Sequence, residues 1–145
     1  MPFDIVECHA MSNRNGYVAL VLVSHSAAIA DGLAALVGQV APGVPIHPVG
    51  GGPDGTLGTD GGRVLDALRE ASAGAGAVVL MDLGSSILAV RAALAELEPD
   101  ERAALDVVDA PLVEGAVAAG VTASTGATRE ETARAAKDAG GQRKL

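Results

Sequence analysis

Residues 17–26 read YVALVLVSHS, an apolar run broken only where it ends, in a histidine flanked by two serines. A run this uniformly apolar fits a strand buried on both faces, as in the parallel sheets of α/β proteins. The next fourteen residues, 27–40, place Ile29, Leu33, Leu36, Val37 and Val40 at helical spacing before Pro42-Gly43 stops them. A histidine where a buried strand gives way to a helix lies at the crevice in which open α/β sheets bind ligands, so His25 is the first candidate for chemistry.

The same alternation continues along the chain. A short strand at 44–49 leads into the Gly-rich loop 50–58, and Thr59 reads as the N-cap of a helix carrying Val64, Leu65 and Leu68 inward. Residues 77–83, AVVLMDL, form a third strand too apolar to be half solvated, and therefore central. Ser85 or Ser86 then caps a helix that carries Ile87, Leu88, Val90, Leu94 and Leu97 and stops at Pro99. A fourth strand at 105–109, a small-residue helix at 112–124 and a last helix at 129–139, opened by a Thr128–Glu131 capping box, complete the pattern. The expected fold is three-layer α/β, a mostly parallel sheet of order 2-1-3-4 with helices on both faces. Residues 1–16 read as an extension, with Met11 an alternative start, 17–139 as the domain and 140–145 as a loose tail.

Composition narrows the function. Eighteen acidic against ten basic residues give a formal charge of −8, which disfavours nucleic acid and anionic membranes and favours a basic protein partner. With only Phe3 and Tyr17 as aromatics there is no base-stacking platform. A single cysteine, Cys8, can form neither an internal disulfide nor a thiolate zinc site, and no signal peptide or membrane span is evident, so a cytoplasmic protein is expected.

Right-handed crossovers bring the C-terminal ends of all the strands to one edge, where His25, Gly58-Thr59, Asp82 to Ser86 and the Pro111 loop then gather. Winding reverses between the first and third strands, which makes His25 and Asp82 neighbours at the switch point. A carboxylate accepting from Nδ1–H fixes the imidazole tautomer and frees Nε2 as a nucleophile toward phosphorus. Asp82 is accordingly expected to orient His25. The helix N-termini near Ser26, Thr59 and Ser85 would face the same pocket and offer donors to phosphoryl oxygens, while Ser24, Ser26, Ser85 and Ser86 taken singly read as plain caps. His9 and His47 read as bystanders. The glycines of Gly50-x-Gly52-x-x-Gly55 do not open a helix, no lysine follows Gly58, and Gly84-Ser85-Ser86 lacks the closing glycine of a nucleophile elbow, so dinucleotide, P-loop and serine-hydrolase readings fail. His25, Asp82 and Glu114 have no metal-ligand spacing, and no metal is expected.

Four motifs together, LVSHS at 22–26, LGTD at 57–60, LMDLGSS at 80–86 and APLVEG at 110–115, resemble the DhaM family. These are the phosphocarrier subunits of phosphoenolpyruvate-dependent dihydroxyacetone kinases, with the fold of mannose-type phosphotransferase-system IIA domains. The resemblance spans about residues 17–139. It implies a homodimer in which His25 takes a phosphoryl group from the carrier HPr and passes it to ADP held on the DhaL subunit, with Ser24, Ser26, Gly58, Thr59, Gly84, Ser85 and Ser86 around that group. The regenerated ATP would then phosphorylate dihydroxyacetone on DhaK, so this subunit itself would bind no cofactor. It also implies HPr-like and enzyme I-like activities on separate proteins. Glu114 is open between a partner contact and a helix N-terminal acid. Two alternatives stand beside this: a sugar-transport IIA component handing phosphate to a IIB protein, and a regulatory module whose partner binding responds to phosphorylation of His25.

Overall fold

The structure, a computed structural model, describes residues 16–145. All of the expected extension except Gly16, including Cys8, His9 and Met11, lies outside the described residues. Four strands, β1 (Ala19–Ser24), β2 (Ile46–Gly50), β3 (Ala77–Met81) and β4 (Leu105–Val107), form one parallel sheet in the order β2-β1-β3-β4. The helices are α1 (Ala27–Val40), α2 (Gly61–Ala71), α3 (Ser85–Glu96), α4 (Pro99–Ala103), α5 (Leu112–Ser124) and α6 (Arg129–Asp138), with a 3-10 turn at Ala139–Gly141. This is the three-layer α/β architecture and strand order that the sequence pattern implies.

Why β1 and β3 are continuous apolar runs is visible in their packing. Successive side chains leave opposite faces of a strand, so a central strand needs apolar residues at every position. Leu20, Leu22, Val78 and Leu80 pack under α1, α5 and α6, while Val21, Val23 and Val79 pack under α2 and α3. Each fully buried leucine or valine contributes about 1.5–3 kcal/mol relative to exposure, so these two strands are the main store of stability.

The departures from the sequence reading are local. Each strand is a residue or more shorter at an end than its apolar run, because the ladder stops where the neighbouring strand stops: β3 turns away at Asp82, whose amide still donates to Val23 O. On α1 the buried residues are Ala30, Leu33 and Val37, whereas Ile29, Leu36 and Val40 are exposed. Asp60, not Thr59, caps α2: its carboxylate accepts from the amides of Gly62 and Arg63. Neither Ser85 nor Ser86 caps α3, whose N-cap is Gly84 in a left-handed conformation (φ 55°) with no side-chain cap. Pro99 does not merely stop α3 but opens the unforeseen α4, where proline's missing N–H costs nothing and Glu101 reaches back to the Glu98 amide. Thr128 does accept from the Glu131 amide at the start of α6.

One glycine fixes how close β2 comes to the site. A Cβ on Gly50 would lie 2.4 Å from Ser26 O and 2.9 Å from Ala27 Cα, both backbone atoms that cannot rotate away. Gly50→Ala is expected to lower stability by at least about 1–3 kcal/mol, read as an earlier urea midpoint, because the β1–α1 connection must move.

Candidate functional site

His25 sits between β1 and α1, and Asp82 directly after β3, so the pairing of these two strands brings their ends side by side. Nδ1 of His25 lies 2.5 Å from Asp82 Oδ2. The carboxylate collects four further hydrogen bonds. Oδ2 accepts from Ser24 Oγ (2.7 Å) and the His25 amide (3.1 Å), and Oδ1 from the Leu83 amide (2.6 Å) and Ser86 Oγ (2.7 Å). Burial by itself would push the Asp82 carboxyl up. The hydrogen bonds from Ser86, Ser24, Leu83 and His25 outweigh it and hold the group well below the usual carboxylate range.

An ionised carboxylate only accepts, so the proton of the His25–Asp82 contact belongs to Nδ1. In the neutral ring Nε2 then carries the lone pair. No described residue hydrogen-bonds Nε2, and the His25 side chain is 29% exposed against 10% for Asp82. The imidazole is thus held from behind and presented outward.

Around it, Ser26 caps α1 by accepting from the Ile29 amide, and the Gly58 amide donates to His25 O, tying the Gly-rich loop to the histidine. Thr59 Oγ1 and Ser85 Oγ are 2.8 Å apart, which joins that loop to the start of α3. The expected phosphoryl surroundings therefore divide. Gly84, Ser85, Ser26 and Thr59 lie at the open edge. Ser24 and Ser86 are fully buried, with their hydroxyls turned to Asp82. The Gly58 amide is likewise already committed. Of the three helix N-termini expected to donate, that of α2 is closed by its own Asp60, while Ser26 takes only the Ile29 amide of α1 and the Leu83 and Gly84 carbonyls take the Ser86, Ile87 and Leu88 amides of α3.

Sequence reading missed a rim of apolar side chains. Leu57, Leu83 and Leu88 are exposed on the Gly-rich loop, the β3–α3 turn and the first turn of α3. The only sign of Leu57 and Leu83 in the sequence is that leucine stands where a loop ordinarily carries polar residues. Glu114, in the first turn of α5, is paired with Lys144, 3.2 Å away. Hydrogen bonding, first its own backbone and then Lys144, lowers its pKa.

His47 lies on the edge strand β2 in a shallow cleft with Arg63, Asp66 and Glu70. Burial lowers its pKa more than Glu70 raises it. Its folded pKa is below its unfolded one, so its contribution is complete above about pH 6.5 and fades as pH falls below that value. His47→Gln is expected to flatten the decline of the urea midpoint between about pH 6.5 and 5 relative to wild type.

With this geometry in view, comparisons with known proteins are specific. A family model described as "PTS system fructose IIA component" matches residues 19–133. The chain belongs to this IIA family. Relatives of the IIA domain include the "PEP-dependent dihydroxyacetone kinase, phosphoryl donor subunit DhaM" of Providencia stuartii, 37% identical over 126 residues, which are 84% of this chain and 26% of that protein. The corresponding Escherichia coli protein is 36% identical over 76% of this chain and 24% of its own length. This chain thus spans about a quarter of those two relatives. The "PEP-dependent dihydroxyacetone kinase 2, phosphoryl donor subunit DhaM" of Listeria innocua is 33% identical, covering 78% of this chain and 91% of its own. The crystal structure of the "unknown function protein EF1359" superposes with a TM-score of 0.79 at 35% identity, over 88% of this chain and 97% of that one. Relatives of this IIA domain are therefore named as phosphoryl donor subunits of dihydroxyacetone kinases. No helix among the described residues is long and apolar enough to cross a membrane.

Proposed function

We propose that this chain is the phosphoryl donor subunit of a phosphoenolpyruvate-dependent dihydroxyacetone kinase, with Nε2 of His25 as the atom phosphorylated. Phospho-HPr is the donor and ADP on a DhaL subunit the acceptor, with ATP regenerated there for dihydroxyacetone on DhaK. The single observation that carries the reading is the contact between His25 Nδ1 and a carboxylate held ionised, which leaves one nucleophilic ring nitrogen facing outward.

In transfer, the Nε2 lone pair forms a bond to the donor's phosphorus while the donor's P–N bond breaks and its electron pair returns to the donor imidazole. No proton need move. The phosphorylated ring, still protonated at Nδ1, is cationic, and Asp82 offsets that charge from behind. The amides of Ala27 and Ala28 at the start of α1 and of Ser85 at the start of α3, which bond no described residue, and the hydroxyls of Thr59 and Ser85 are suited to the phosphoryl oxygens. No lysine or arginine among the described residues pairs with this cluster, so the transferring proteins supply the compensating cations. The exposed Leu57, Leu83 and Leu88 suit docking of a protein better than binding of a free metabolite.

The test is incubation with phosphoenolpyruvate, enzyme I and HPr, which should add one acid-labile phosphoryl group detectable by mass, followed by its transfer to ADP on DhaL. An unchanged mass would count decisively against the proposal. The family description favours one second reading, a sugar-transport IIA component. Delivery of the phosphoryl group to a IIB protein, and not to ADP on DhaL, would select it.

A homodimer is part of the same proposal. Ile29, Leu36 and Val40 of α1 and Val113 and Val121 of α5 are exposed on adjacent helices of one layer. Sedimentation equilibrium is expected to return the mass of two chains.

A further inference from the structure

The mechanism above uses Asp82 but leaves its two buried hydroxyl partners without a role. Ser24 and Ser86 are the only fully buried polar side chains of the described residues apart from Thr132, and they approach Asp82 from opposite sides, one on each carboxylate oxygen. A hydroxyl has one proton, and an ionised carboxylate cannot donate, so Ser24 must give its proton to Oδ2. Its oxygen is then free to accept, and it does so from the Ser26 amide at 3.0 Å. The N-terminus of α1 is thereby linked through Ser24 to the carboxylate. Ser86 points its proton at Oδ1, with Leu83 O as a neighbouring acceptor at 2.9 Å.

Two hydroxyls on separate oxygens do what the backbone amides alone cannot. The His25 amide and the Leu83 amide fix the carboxylate only where the chain turns. The hydroxyls come from the last residue of β1 and the first turn of α3 and fix the plane in which Oδ2 meets Nδ1. We propose that Ser24 and Ser86 are positioning residues, a paired hydroxyl clamp that holds the Asp82 carboxylate aimed so that His25 keeps its proton on Nδ1 and its lone pair on Nε2. Neither serine touches the phosphoryl group. Each acts through Asp82, and the proposal rests on the relay reading only for its consequence on transfer rate.

The direct readout is the tautomer of His25 in unphosphorylated protein, from ring 15N shifts at about pH 8.5, where an ordinary imidazole is neutral. Wild type should show a pyrrole-like Nδ1 and a pyridine-like Nε2. Ser24→Ala and Ser86→Ala should each shift both nitrogens toward the average of a tautomer mixture, and the double variant further. Ser24→Cys and Ser86→Cys, which refill the volume with a weaker donor, should move them in the same direction by less, and they serve if an alanine variant does not fold. The rate of phosphoryl uptake from phospho-HPr should fall about 10–100-fold in the double variant, as for other partners that orient a functional histidine. Ring shifts unchanged from wild type in the folded variants would overturn the clamp. If wild type takes up no phosphoryl group, the relay fails, and the ring shifts still decide the role of the serines.

Discussion

His25→Ala is expected to abolish phosphoryl uptake completely, with no residual labelling in the mass spectrum, while His47→Ala takes up one group as wild type does. The difference follows from what surrounds each ring. His47 lies on edge strand β2 in a cleft with Glu70 and Asp66, where burial outweighs Glu70 and favours the neutral form, and no carboxylate is bonded to its ring to fix a tautomer among the described residues. His25 has an ionised carboxylate behind Nδ1 and no described partner on Nε2. A nucleophile must offer a lone pair in the direction of attack, and an alanine offers none. His25→Gln is a useful companion, since its amide can still bond Asp82 and so preserve the loop, yet it too should be unlabelled. Labelling of either variant would place the phosphorylated atom elsewhere.

Asp82→Asn is expected to leave the fold intact and reduce transfer by up to about 10⁴, the loss seen when the carboxylate behind a catalytic imidazole is neutralised. Five donors converge on Asp82: three on Oδ2 and two on Oδ1. An asparagine must put its NH₂ on one side or the other. At the Oδ2 position it confronts Nδ1–H and drives the proton to Nε2, which removes the lone pair needed for attack. At the Oδ1 position it confronts the Leu83 amide, and the phosphorylated ring still loses its counter-charge. Single-turnover transfer from phospho-HPr measures the loss, and a decrease of less than about tenfold would sink the proposed role of Asp82. The same group gives a stability signature in wild type. Its pKa is depressed on folding, so its contribution is present above the unfolded value, near pH 4, and is lost as pH falls through the lower folded value. The acid limb of unfolding should therefore be shallower in the variant.

Much of this site was legible in sequence because parallel α/β topology converts order along the chain into position on one edge. Once 17–24 and 77–83 are recognised as central strands, His25 and Asp82 must end up adjacent, whatever the loops do. What was not legible is of a different kind. Ser24 and Ser86 share the histidine's edge, but which way a hydroxyl points depends on the burial of its own position. On α1, Ile29, Leu36 and Val40 satisfy helical spacing as well as Ala30, Leu33 and Val37 do. In a helix this rich in apolar residues the period has no unique phase, and close approach of the sheet selects the row containing alanine. Thr59 and Asp60 were both competent caps for α2, and the bond from Thr59 to Ser85, 26 positions away, left the task to Asp60.

By itself, then, the sequence determined the order of elements, the central strands and the identity of the paired histidine and aspartate, because apolar periodicity and right-handed crossovers act through short-range sterics and burial. Only the tertiary structure decided which hydroxyls face the carboxylate, which helix face is left bare and which N-termini remain open. Those outcomes depend on contacts between residues far apart in the chain, where several side chains of equal local fitness compete for one partner.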